Sequence, residues 1–194
     1  VFVSTILVLF IGFKIASSLF GSDDSSPTST TQTETTSTPS NATKEELALV
    51  KKLPSDQQDC VTITKDARNN PWTDAIAVVG CPIGEVNNLK YGMFSSVEDM
   101  NATYNQHSQK LIEASGQTPS VTADSFPCKS SPSERGTWHV DDKAGVGGEY
   151  LCVSSPHPII IWSEEKSKII GMAELNNGTV SDLGSWWNAK SGPK

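Results

Sequence analysis

The side chains in this chain that could do chemistry are four cysteines, three histidines and a few adjacent carboxylates. Cys60, Cys81, Cys128 and Cys152 form no C-x-x-C pair, and their spacings do not match a zinc site. What remains for them is disulfide chemistry. Four cysteines allow three pairings. The pairing Cys60 with Cys81 and Cys128 with Cys152 is favoured, because each bridge then ties a strand or loop to the next strand. The rival is a cytosolic domain with buried free thiols.

The histidines offer less. His107 sits in the polar stretch NQHSQK and reads as solvated. His139 follows Trp138, and His157 lies between Pro156 and Pro158. A metal pair from His139 and His157, or a Ser–His–Asp triad, needs partners that the spacing does not name. Asp141-Asp142 and Glu164-Glu165 could act as paired acid and base at a separation of about 5–9 Å. In hairpin turns such pairs more often serve solvation and turn formation. The sequence has no G-x-S-x-G, G-x-G-x-x-G, P-loop, H-E-x-x-H, EF-hand or kinase signature. No catalytic residue, metal ligand or cofactor is therefore expected on this chain.

The tryptophans are the remaining candidates for a site. There are five, against three tyrosines and six phenylalanines. Trp138, Trp162, Trp186 and Trp187 are candidate groove aromatics, since an indole at a groove is a usual binding anchor. Trp162 and one of the pair Trp186-Trp187 are expected in the core. The other of that pair is expected to line a cleft or sit at an interface, because neighbours on a helix point in different directions.

Composition then limits the classes. The chain has 194 residues, with 15 Lys+Arg against 22 Asp+Glu and a formal net charge of −7. That acidity excludes a phosphate-backbone binder, so no nucleic-acid partner is expected. Residues 1–20 hold fourteen Val, Ile, Leu, Phe or Ala and are expected to form a transmembrane helix. Lys14 has to snorkel, or the span has to continue upstream. The chain begins with Val, so an upstream part is expected; a signal peptide cleaved near Ala16-Ser-Ser18 is the runner-up. Residues 21–42 contain thirteen Ser or Thr and no large apolar side chain, which predicts a disordered stalk.

Residues 43–194 then form the folded extracytoplasmic domain. Thr43-Lys-Glu-Glu46 reads as a capping box that opens a short helix ending before Pro54. Strand patterns follow at Cys60–Thr64, Ala75–Cys81 and Leu89–Phe94. A second box, Ser95 to Glu98, opens a helix to about Ser115, with Gly116 just past its end. The polar, proline-containing stretch 116–135 reads as a long loop. Strands are expected at Gly136–Val140, Glu149–Ser154, Pro158–Ser163 and Lys168–Leu175, and Ser181 is expected to cap a last helix. The sum is an α+β domain: an antiparallel sheet of about six or seven strands with flanking helices and two disulfides.

These positions also resemble a known group. Leu53-Pro54 before Asp59-Cys60, AIAVVGC ending at Cys81, Tyr91-Gly-Met-Phe94 leading to SVEDM and Tyr104, Cys128, Gly136-Thr-Trp138, Cys152, Ile161-Trp162 and Trp186-Trp187 carry the likeness. Over about residues 50–190 the chain resembles the C-terminal extracytoplasmic regions of some actinobacterial serine/threonine protein kinases, and their stand-alone membrane-anchored relatives. The resemblance implies a cytoplasmic kinase domain upstream, a single membrane span, and an outer domain with a cleft that senses a ligand or an envelope protein. It also implies a dimer equilibrium that the ligand shifts. An anchored accessory protein of the envelope is the alternative function, and a tethered hydrolase ranks behind both.

Overall fold

The structure is a computed structural model. The structure describes residues 42–191, apart from 67, 83, 123–127, 130, 131 and 141–144. The expected membrane span (1–20) and, save Ala42, the expected stalk (21–42) lie outside the described residues. Among the described residues no helix is long and apolar enough to cross a membrane.

The elements run α1 (Lys44–Val50), β1 (Val61–Thr62), β2 (Ala77–Cys81), β3 (Asn87–Met93), α2 (Val97–Ser115), β4 (Ser120–Thr122), β5 (Ser133–His139), β6 (Gly147–Val153), β7 (Ile159–Glu164), β8 (Ile169–Glu174) and α3 (Val180–Trp186). All eight strands join one sheet in the order β1-β2-β3-β8-β7-β6-β5-β4. Every neighbouring pair is antiparallel except β4 with β5, which is parallel. The expected all-antiparallel sheet of six or seven strands is thus corrected to a mixed sheet of eight. The extra strand lies in the stretch read as loop. Ser120–Thr122 has no apolar alternation to announce it, and takes its extended form from pairing with Glu134–Gly136.

Caps set the helix ends. Thr43 closes a complete capping box with Glu46, as the sequence predicts. α2 starts one residue later than expected: Ser96 is the N-cap, accepting from the Asp99 amide at 3.0 Å, while the Ser95 hydroxyl donates to the Asp99 carboxylate. Gly116 ends α2 at φ 63°, a left-handed conformation that suits glycine. α3 is capped by Thr179, with Asp182 completing a box, and not by Ser181.

The sheet is buried on both faces. Alternation sends Val79, Leu89, Tyr91, Ile160 and Trp162 to one face, where α1, α3 and the turn that follows α3 add Leu49, Leu183, Trp186 and Trp187. It sends Val78, Leu151, Ile161 and Ile170 to the other, where α2 adds Met100 and Tyr104. Burying each large apolar side chain contributes about 1.5–3 kcal/mol. α2 packs against β6, β7 and β8. It does not cover β5 on that face, and there Arg135, Thr137 and His139 are exposed while Glu134 and Trp138 on the opposite face are buried.

Candidate functional site

The cysteines come first. Cys60 is bonded to Cys81 and Cys128 to Cys152, with sequence separations of 21 and 24. No cysteine is free. The first bridge ties the start of β1 to the end of β2. The second ties the loop before β5 to the end of β6. Beside it Glu134, 3% exposed, accepts from the Tyr150 hydroxyl at 2.7 Å and the Lys129 amide at 3.2 Å.

The four candidate groove indoles are core residues. Trp138 is 7% exposed, Trp162 3%, Trp186 8% and Trp187 2%. Three of them join Tyr91 on one face of the sheet as an edge-to-face series: Trp162 meets Tyr91 at 5.7 Å between ring centroids and Trp187 at 6.1 Å, and Trp187 meets Trp138 at 5.6 Å. The expectation that only one of Trp186 and Trp187 faces inward is overturned. α3 passes into a π-helical turn at Trp187–Ser191, where Trp186 and Trp187 are both buried while Asn188 and Ala189 are exposed. Gln57 holds the turn in place: its side-chain amide donates to the Lys190 carbonyl at 3.1 Å, and its carbonyl accepts from the Tyr91 hydroxyl. Trp138 also borders a surface depression formed with residues of the β5–β6 hairpin.

The histidines do not converge. Strand register places His139 opposite Gly147 at one end of β5 and β6, whereas His157 precedes the Val153–Ile159 end. Six residues of strand separate these ends by about 20 Å, which rules out a shared metal. His157 instead approaches Glu174 at 3.5 Å. His107 is half-buried and meets Trp72 edge-on at 6.1 Å, so the solvated reading is corrected. Asp141 and Asp142 lie outside the described residues. Glu164 accepts from Ser167 within the β7–β8 turn, which matches a turn-forming role. Among the described residues no group of three or more His, Cys, Asp and Glu could hold a metal.

What the sequence did not point to is a groove of about 360 Å³ between α2 and the β4–β6 end of the sheet. Tyr104, Ser108 and Ile112 of α2 form one wall, and Arg135, Thr137 and Glu149 lie on the sheet side. The groove exists because α2 stops covering the sheet at β6. The β6–β7 ladder begins at Tyr150–Trp162, and just beyond it the Ser163 hydroxyl accepts the Glu149 amide at 2.9 Å, fixing the backbone under Glu149. Arg135 is fixed from both sides, by Val121 of β4 and Leu151 of β6. Burial pushes the Tyr104 phenol up from its ordinary value, so the hydroxyl keeps its proton. The one signal for the groove in the sequence is the run Arg135, Thr137, His139, polar at every second position, which marks the uncovered face of β5.

Comparison with known proteins gives no match: no family model, no curated protein and no solved structure matches the chain.

Proposed function

We propose that this chain carries an extracytoplasmic ligand-sensing domain of a single-pass membrane protein, with the ligand in the groove between α2 and β4–β6. The observation that carries the reading is the pairing of all four cysteines in two disulfides, the pattern of an oxidising compartment. An apolar segment at 1–20 and a Ser/Thr-rich segment at 21–42 in front of the domain agree with it. So does the resemblance to the outer regions of actinobacterial receptor kinases, in which ligand binding outside would shift a dimer equilibrium across the membrane. Such a shift requires that the ligand bind the two states with different affinity. The rival reading, an accessory protein docking through an exposed Trp patch, loses its patch: all five tryptophans are at most 8% exposed. The test is topology. The chain, expressed with a C-terminal tag in an actinobacterial host, should fractionate with membranes, lose the tag to protease added outside intact cells, and be isolated with both disulfides formed. A tag protected until lysis, or cysteines isolated as thiols, overturns the reading.

A further inference from the structure

We infer that the groove recognises a small zwitterion, a ligand of amino-acid or dipeptide size bearing one carboxylate and one ammonium group. The inference deepens the ligand-sensing reading and rests on it. Arg135 and Glu149 both line the groove on the sheet side. Register pairs Arg135 with Leu151 and Glu149 with Thr137, so the two charges are diagonal neighbours on one face of β5 and β6. Such positions are about 7–8 Å apart. Both side chains are exposed, and among the described residues no ion pair joins either of them to the other or to a third group.

Two opposite charges in one small groove, unpaired among the described residues, choose their ligand by charge. A simple anion would gain from Arg135 and be repelled by Glu149, and a simple cation the reverse. A molecule carrying both charges gains at both ends. The guanidinium fork suits a carboxylate, which it can hold through two parallel hydrogen bonds. Ile112 on the α2 wall supplies an apolar surface for a side chain. A volume of about 360 Å³ lies at the small end of ligand cavities.

The experiment uses the full chain in mild detergent, followed by calorimetric titration and thermal shift. The probes are L-alanine, L-alanyl-L-alanine, N-acetyl-L-alanyl-L-alanine and L-alanyl-L-alanine amide. Saturable binding of a free zwitterion is expected, with at least a tenfold loss when either end is blocked. Arg135→Ala and Glu149→Gln should each weaken binding at least tenfold while leaving the melting temperature of the unliganded chain unchanged, because both side chains are exposed. Blocked and free probes binding alike, or either variant binding as the parent does, overturns the inference. A parallel panel of sugars, phosphates and nucleosides separates this failure from failure of the broader reading. Stabilisation by one of these, abolished by filling the groove with Thr137→Trp, sinks the zwitterion and keeps a sensing groove. Absence of stabilisation by every probe in both sets sinks both.

Discussion

Trp162 lies across Gly171, its direct partner on β8, so closely that a Cβ on the glycine would stand 2.2 Å from the indole Cζ2. The missing side chain lets the ring lean over β8 and reach Tyr91 on β3. From there the edge-to-face series passes through Trp187 to Trp138, linking the middle of the sheet to the chain's C-terminal end. One glycine therefore sets the position of an aromatic layer that the sequence offered as a binding surface. Trp72 uses the same device on the other face, where a Cβ at Gly92 would come within 2.6 Å of its ring.

Gly171→Ala should accordingly destabilise the domain by about 2–3 kcal/mol, the cost of overpacking a filled core. Urea unfolding, followed by tryptophan fluorescence, measures it. In a double variant with Trp162→Leu the two costs should fall short of additive, because the second change removes the atoms with which the first collides. Full additivity would mean that the alanine strains something other than the indole.

The two bridges make a prediction about loop length. They close segments of similar separation, 21 and 24 residues, so each should stabilise the domain by about 3 kcal/mol in the chain-entropy account. Replacing Cys60 and Cys81 together by alanine, or Cys128 and Cys152 together, should lower the urea midpoint by comparable amounts. Peptide mapping without reductant should find only these two linkages. A crossed linkage, or a pair whose removal costs nothing, contradicts the account.

Much of this frame was legible in the sequence. The Thr43 box, the apolar run to Cys81, the left-handed Gly116 and the cysteine pairing all rest on contacts within one element or between consecutive elements. What was not legible depends on distant segments. β4 is extended only because β5 lies beside it. Thr179 outcompetes Ser181 as a cap because Asp182 stands at the third helical position from Thr179, where it can return the hydrogen bond. The groove needs three facts together: where α2 crosses the sheet, which face Arg135 takes, and the register that sets Glu149 diagonal to it. None of these is a property of a single window of sequence.

Thr179 offers a direct test of that capping logic. Its side chain accepts from the Asp182 amide at 3.1 Å, and its own amide donates to the Asp182 carboxylate at 2.8 Å. Thr179→Ala should cost about 1 kcal/mol, whereas Ser181→Ala should cost only a few tenths. Hydrogen exchange should show the loss first in α3, the helix that carries Trp186 into the core. Equal costs at the two positions would return the cap to Ser181.

The pH dependence of stability should carry the signature of His107. Burial beside Trp72, and then the charges of Lys110 and Lys90, hold its ring below the ordinary value of 6.5. An unfolded chain takes up this proton near pH 6.5, and the folded domain only at lower pH. Between the two values the unfolded state binds more protons, so stability falls as pH falls. The contribution is fully present above pH 6.5 and is lost as pH drops through the folded value. Melting temperatures measured from about pH 7.5 to about pH 5 should decline, and His107→Gln should flatten that part of the profile. Asp99 and Asp182, held low by hydroxyl hydrogen bonds at their caps, act on the same side, but only below their ordinary value of 3.8. A profile that His107→Gln leaves unchanged removes His107 from the account.

The last prediction compares two indoles of equal burial and unequal bonding. Trp138 and Trp186 are 7% and 8% exposed. The Trp138 N–H donates to the Ser163 carbonyl at 3.0 Å, while the Trp186 N–H has no hydrogen-bond partner among the described residues. Replacing either by phenylalanine removes similar volume. At Trp138 it also leaves a buried carbonyl with one partner fewer, and at Trp186 it relieves a buried donor of its lost hydration. Trp138→Phe should therefore cost about 1 kcal/mol more than Trp186→Phe. The same reasoning separates the tryptophans of this face by role: one is tied to the sheet by a directional bond, the other is held by packing alone. Equal costs in urea unfolding would mean that the N–H of Trp138 adds nothing to its packing.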